Sequence, residues 1–370
     1  MRLVKATAAD DQKVTDHFKD TTLPGSIDIS YQRIGSFFDH YRLQSDDFVT
    51  YLLINDQDQI EAMASLIFRK ALVEGEVQTI GFATDLRVST SRGAILSWSQ
   101  HFLPVLEEEK AKRNCRYIFS VVAQSQKQAY NAFVRPRSMK RRLPRYYLFR
   151  RFQIVSLHGL LPWRPRPLPS ILVKRAQESD REALYAYILK KKSLRPLTFS
   201  LSLESIHQNL ERWKDLHLEN FLLAKDKDNN ILGCTGIWSP SQTQRVYSHG
   251  YSPEALTLKE GLHLLSFLGM GKRLPPVSQP LEFCYLTHLF AENPDIFYSL
   301  LYTAYKSTTK NEFLVYTHFD HYWLSLPPRG FLSSSMPGGF YCVLSPDQPV
   351  PDFLKPMHLH EPPDFELALW

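Results

Sequence analysis

The stretch Leu86-Arg87-Val88-Ser89-Thr90-Ser91-Arg92-Gly93-Ala94 decides how the rest of the chain is read. Leu86-Arg87-Val88 reads as a strand running into Ser89, and a helix is expected from Ile95 to about Lys112. Between them lie small and hydroxylated residues and a single glycine. That composition leaves backbone N–H groups free at the helix start. Such groups, helped by the helix dipole, form an anion site suited to a pyrophosphate. One exposed charge–dipole contact contributes only about 0.3–1 kcal/mol, so several amides must converge. The same residues would equally make a simple N-cap, because Ser and Thr are favoured at any helix start.

Working outward, Val4 to Ala6 reads as a strand and Ala8 to Phe18 as a helix opened by Asp10 and Asp11. A hairpin is expected from Phe48–Ile54, the turn Asn55-Asp56-Gln57-Asp58 and Ile60–Phe68. Glu76 to Ile80 continues the sheet, with Phe82 to Val88 after it. Beyond the long helix, Arg116 to Val122 has the composition of a buried strand. Polar Gln124 to Lys127 then leads into a helix carrying Ala129, Tyr130 and Phe133, and Tyr146 to Val155 reads as a closing strand.

This order resembles the GNAT acyltransferase superfamily, closely over residues 1–155 and more loosely over 171–345. The resemblance implies an α+β (mixed α/β) fold, with two GNAT-like domains that are each a twisted mixed sheet flanked by helices. It implies that Leu86, Arg87 and Val88 line the pantetheine arm of acetyl-CoA or another acyl-CoA. Ser91, Arg92, Gly93 and Ala94 would hold its pyrophosphate. The loop is one residue shorter than the family form, and Ile95 or Leu96 replaces the second small residue. In the family's Asn-x-x-Ala-x-x-x-Tyr pattern, Gln126 fills the Asn position, Ala129 matches, and Phe133 stands where the Tyr would protonate the leaving thiolate. A phenyl ring has no proton to give, so Tyr130, one helical turn back, becomes the candidate acid, or a packing residue. Asp85 is the candidate base for the acceptor amine, or a solvated edge residue.

A weak internal echo supports a second copy. Leu3-Val4-Lys5 and Asp11 recur as Leu172-Val173-Lys174 and Asp180, while Leu52-Leu53, Asp56 and Asp58 recur as Leu222-Leu223, Asp226 and Asp228. A spacing this long indicates a duplicated domain and not a solenoid repeat. The 370 residues also exceed what one core usually supports. Leu161-Pro162-Trp163-Arg164-Pro165-Arg166-Pro167-Leu168-Pro169 reads as a stiff linker. The expected division is 1–158, linker 159–170, 171–345, and a tail 346–370 latched by Phe353, Leu354 and Trp370.

In the second copy Cys284–Phe290 takes the place of the cofactor strand, yet Ala291-Glu292-Asn293-Pro294-Asp295 has no glycine and carries two acids. Carboxylates repel phosphate at a helix start, so this half is expected to be a scaffold or acceptor-binding domain. His288, His318 and His321 are expected near its cleft, as a base, as acceptor contacts or as a chance grouping. Arg135-Pro136-Arg137-Ser138-Met139-Lys140-Arg141-Arg142, with Arg145, Arg150 and Arg151, is the densest basic cluster. It suits the coenzyme's 3′-phosphate, transfer RNA stacked on Tyr146, Tyr147 and Phe149, or plain solvent.

Net charge is +6, a mild excess of base spread over 44 cations and 38 anions. Four separated cysteines offer no zinc spacing, and no metal is expected. The N-terminus lacks the apolar run of a leader, so a cytoplasmic protein without membrane contact is expected. The leading expectation is an acyl-CoA-dependent N-acyltransferase, an N-acetyltransferase in the simplest case. Its partners would be acyl-CoA and an amine-bearing acceptor bound between the domains, without nucleic acid, in a monomer or homodimer. The alternatives are a non-catalytic GNAT-fold ligand- or partner-binding protein and a transferase using aminoacyl-tRNA.

Overall fold

The computed structural model describes residues 1–124, 131, 134, 143–356 and 360–370. Its strands are β1 Arg2–Lys5, β2 Ile27–Arg33, β3 Phe48–Ile54, β4 Ile60–Val73, β5 Glu76–Val88, β6 Tyr117–Ala123 and β7 Arg145–Leu160. The later ones are β8 Leu172–Arg175, β9 Phe221–Lys225, β10 Ile231–Trp238, β11 Gln244–Tyr251, β12 Pro280–Ala291, β13 Glu312–Phe319 and β14 Phe331–Leu344. The helices are α1 Asp11–Asp20, α2 Asp39–Arg42, α3 Arg92–Lys112, α4 Arg181–Lys192, α5 Leu203–Arg212, α6 Pro253–Phe267 and α7 Pro294–Ser307.

All the strands join one mixed sheet in the order β1-β3-β4-β5-β6-β14-β7-β13-β12-β10-β9-β8, with β11 bridging β12 and β2. The two echoed segments therefore lie at opposite ends, as β1 on β3 and β8 on β9. Among the described residues two neighbouring pairs run parallel, β5 with β6 and β12 with β13, one in each half. The hairpin turns also match: Asn55 Oδ1 accepts from the Gln57 and Gln59 amides, and Asp226 Oδ1 from those of Asp228 and Asn230. Helices cover both faces. Trp98, Phe102 and Leu106 of α3 pack on one side of the first half, and Val14 and Phe18 of α1 on the other.

At the centre the halves exchange their last strands. β14 lies between β6 and β7, while β7 pairs with β13 of the second half. The expected division at 158–171 follows the chain, whereas the sheet crosses it. Gly338 makes the crossing possible, because a Cβ there would sit 2.6 Å from the Phe152 ring. Residues 161–170 form no helix or strand, and the Pro165 carbonyl accepts from Tyr298 Oη on α7 at 2.6 Å, docking the linker to the body.

The tail is held as expected by Leu354, Phe353 and Trp370, which pack into the first core. It is also held by something the sequence did not reveal: buried Lys192 donates to Asp364 at 2.8 Å and to Glu366 at 3.1 Å. Among the described residues no helix is long and apolar enough to cross a membrane.

Candidate functional site

Strands β5 and β6 pair only from Ile80↔Tyr117 to Ala83↔Ser120. Beyond that point β5 continues on β4 alone, while β6 follows β14 as far as Ala123. The divergence has a local cause. Ser65 faces Thr84 but Met63 already faces Arg87, so β5 carries a bulge at Asp85, whose φ is +52°. A bulge bends its strand and adds twist. The result is a gap between residues 84–88 and 121–123, edged by backbone groups that an extended ligand arm can pair with. Leu86 and Val88 pack toward Trp98 on α3, whereas the Arg87 guanidinium lies over the Phe18 ring of α1 at 4.8 Å. The two faces of β5 thus alternate, and Arg87 does not share the face of Leu86 and Val88.

The bulge hands the chain to the start of α3. Ser91 is the N-cap, its Oγ accepting from the Ala94 amide at 3.1 Å, and the Ile95 amide donates to the Ser91 carbonyl. Ala94 is therefore already satisfied by the protein, so the N-cap and the anion site share this loop. The Arg92 and Gly93 amides have no partner among the described residues, and Ser91, Arg92 and Gly93 are all exposed. Gly93 has a clear approach, since an added Cβ would meet only Met1 Cε, at 3.4 Å. One acid lies close by: Glu61 accepts from Ser89 Oγ at 2.5 Å.

The corresponding corner of the second half is closed. Its parallel strands separate after Tyr285↔Val315, and a matching bulge between Cys234↔Phe290 and Gly236↔Thr287 places His288 at φ +49°. There the likeness stops. Asn293 Oδ1 accepts from both Asp295 and Ile296 amides at 3.0 Å, Pro294 has no N–H, and the Phe297 amide donates to the Asn293 carbonyl. No amide is left over at this start. His288 is buried against Trp213 and Phe221 with its backbone N–H on Glu366, and burial first, then Lys192, drives its pKa well below the usual imidazole range.

Asp85 faces into the protein. Arg33 Nη2 donates to its Oδ2 at 2.6 Å, and Tyr41 Oη lies 2.7 Å from the same oxygen and 2.8 Å from Ser65 Oγ. The Arg33 side chain is only 2% exposed, with its guanidinium 5.1 Å from the Phe18 centroid and 5.5 Å from those of Phe37 and Tyr41. A cation enclosed this way needs its carboxylate. Arg33 and Tyr41 went unnoticed in the sequence, although Ile27-Asp28-Ile29-Ser30-Tyr31-Gln32-Arg33 has the strict alternation that marks a strand.

Gln126, Ala129, Tyr130, Phe133 and the basic run Arg135–Arg142 lie outside the described residues. Of the remaining basic cluster, Arg150 is buried and so adds nothing to a cationic surface, whereas Arg145, which donates to the Gln348 carbonyl, and Arg151 are exposed. Phe149 is also buried, and Tyr146 and Tyr147 pack against the two cores of the first half, which leaves none as an open stacking platform. His318 is buried with Nδ1 2.9 Å from Ser325 Oγ. Cavities of about 400 Å³ beside α6 and about 670 Å³ between α4 and α5 touch none of the residues from Leu86 to Ala94.

No protein-family model matches the sequence, and no curated protein matches it. Solved structures do. The Saccharomyces cerevisiae N-myristoyltransferase with bound myristoyl-CoA aligns over 92% of this chain and 82% of its own, at 12% identity and a TM-score of 0.53. A GCN5-related N-acetyltransferase from Sphaerobacter thermophilus aligns over 81% of this chain and 82% of its own, at 13% identity and a TM-score of 0.49. At these identities the likeness is one of fold. With its splayed parallel strands, bulge and helix-start loop, the chain has the GNAT fold.

Proposed function

We propose that the chain is an acyl-CoA-dependent N-acyltransferase whose first half holds the thioester. One contrast carries this reading: the helix start after β5 keeps two amides free and exposed, while its counterpart after β12 has none. The Arg92 and Gly93 amides, with the dipole of α3, suit a pyrophosphate. The open edges of β5 and β6 suit the pantetheine arm, with the 86–88 backbone along it. An acyl thioester supplies an activated acyl group that an amine can take as the thiol leaves. A backbone amide of Leu86–Val88 polarises the carbonyl, and the acceptor amine approaches from between the halves.

Asp85 acts in this scheme as a positioning residue. Its ion pair with Arg33 fixes the bulge and so aims the 86–88 backbone, which leaves it poorly placed to take a proton from the acceptor. Tyr130 is the candidate acid for the leaving thiolate, and Phe133 is a candidate coenzyme contact. A second reading, coenzyme binding without transfer, draws on that same ion pair and on Phe133.

The test is release of free thiol from acyl-CoAs of increasing chain length, starting at acetyl, with amine-bearing acceptors present and absent. Acceptor-dependent release supports transfer. Tight coenzyme binding with no release for any acyl length or acceptor moves the assignment to the second reading.

A further inference from the structure

Arg87 carries a charge that its own fold leaves unanswered. Two guanidiniums approach the Phe18 ring of α1, that of Arg33 at 5.1 Å and that of Arg87 at 4.8 Å from the centroid. The carboxylate facing them is taken: Asp85 accepts from Arg33 at 2.6 Å and from the Tyr41 hydroxyl at 2.7 Å. Arg87 is half-buried and forms no ion pair among the described residues. Its Nη1 donates to the carbonyl of its neighbour Leu86 at 3.0 Å, and its Nε is buried with no acceptor. Arg33 leaves two more buried donors unused, Nε and Nη1. Nearby groups do not make up the deficit. Glu61 accepts from Ser89 and Asn55, and His17 is kept neutral, its pKa lowered by burial first and by Arg87 next. Enclosed donors normally have a partner, and a cation taken out of water without one is costly.

The fold also limits which anion can answer this charge. Arg87 alternates with Leu86 and Val88, so its side chain points away from α3 and from the loop whose amides suit a pyrophosphate. The coenzyme's diphosphate is thereby on the other face of β5. Arg87 looks instead toward β2, where Tyr31 and Arg33 are alternate residues on one face. β2 leaves the first half to pair with β11 of the second, so this corner lies at the boundary between the halves. Tyr31 is half-buried, its ring 6.5 Å from that of Phe18. Burial raises its pKa against the pull of Arg87, which keeps the phenol neutral and able to donate. Ile154, Phe365 and Trp370, also half-buried, pack into the same two clusters as Tyr31 and give the corner an apolar flank.

We propose that Arg87, with Tyr31 beside it, binds a carboxylate of the acceptor, and that the acceptor is a free amino acid. This rests on the acyltransferase reading above and narrows it to a substrate class. Under that reading the Arg87 backbone runs along the pantetheine arm while its side chain turns to the opposite face. The acceptor's carboxylate therefore lies no farther from the thioester than one arginine side chain reaches. An α-amino acid meets this limit, because its amine and carboxylate share one carbon. A guanidinium–carboxylate contact is charge-assisted and directional, so it also orients the amine. An amine without a carboxylate would leave Arg87 as it stands, unpaired.

Calorimetric titration of the full chain with each standard amino acid, with coenzyme A present and again without it, tests this. At least one amino acid should bind at least tenfold more tightly than the amine that lacks its carboxylate. Arg87→Met should remove that advantage, and Arg87→Lys, which keeps the charge but not the two-pronged fork, should restore part of it. Because Arg87→Met deletes an unpaired cation, its melting temperature should equal or exceed that of the wild type. The inference is overturned if no amino acid binds at tens of millimolar, or if the decarboxylated amine binds equally well. It also falls if Arg87→Met lowers the melting temperature yet leaves amino-acid binding intact, or if O-phosphoethanolamine binds and no amino acid does. The two readings fail separately: absent coenzyme binding removes the acyltransferase, whereas absent amino-acid binding beside intact coenzyme binding removes this substrate class alone.

Discussion

Gly93 and Asp295 hold the same position in the two halves, two residues past the N-caps Ser91 and Asn293. Exchanging one for the other isolates what the anion site needs. A carboxylate in the first turn stabilises a helix by roughly 0.3–1 kcal/mol but repels a phosphate in the same place. Gly93→Asp should therefore keep or raise the melting temperature while coenzyme A affinity falls at least tenfold, a pairing that simple misfolding cannot produce. Asp85 calls for a different readout. Removing its charge leaves Arg33 buried without a counter-ion, so Asp85→Asn should lower stability by about 3 kcal/mol in a denaturant titration. The acid limb of the kcat–pH profile should persist in that variant. Were that limb to vanish along with turnover, Asp85 would be the base after all. The positioning role of Asp85 could not be read in advance, because Arg33 and Tyr41 come from segments more than forty residues away.

Helix α3 must be held firmly for its first turn to serve as a binding surface, and Glu109 holds it. This buried carboxylate accepts from Lys5 at 2.7 Å and Tyr51 at 2.6 Å and is paired with Arg113, tying the last turns of the helix to β1 and β3. Burial alone would raise its pKa, but the bonds from Lys5, Tyr51, Arg113 and Lys112 outweigh it and bring the value down to about 2. A depressed carboxyl stabilises the fold above its unfolded pKa, and that contribution is lost as pH falls through the folded one. Stability measured by denaturant should thus decline from about pH 4.5 toward pH 2, by ~3 kcal/mol from this group, and Glu109→Gln should flatten much of that slope. The elements themselves were largely legible. Apolar runs and turn residues located the hairpin β3–β4, and α3 was found within a few residues. The bulges were not, since a bulge depends on which residue of β4 or β10 is opposite. β2, β11, α6 and β14 were also missed. β14 reads Phe331-Leu332-Ser333-Ser334-Ser335-Met336-Pro337-Gly338-Gly339, a serine, proline and glycine run that suggests loop. Its pairing on both sides overrides that local preference.

At the scale of the whole molecule the two halves of the chain exchange strands. Because β6 gains its neighbour from residues 331–344 and β13 gains its own from residues 145–160, neither half completes its sheet alone. Residues 1–170 produced by themselves should lack a cooperative unfolding transition, and adding residues 171–370 should restore one; a first half that melts cooperatively alone would argue that the exchange contributes little to stability. The echo of Leu3 and Leu52 at Leu172 and Leu222 falls on strands at the two ends of the sheet, but strand exchange leaves no trace in local sequence. The corresponding corners of the two halves differ, one keeping open amides and the other sealing them with Asn293 and Pro294. Calorimetric titration of the whole chain with coenzyme A, beside the Gly93→Asp variant, measures that divergence most directly. The account predicts one binding event per chain, sharply weakened in the variant. No heat with millimolar coenzyme, two equal sites, or undiminished binding by Gly93→Asp would contradict it.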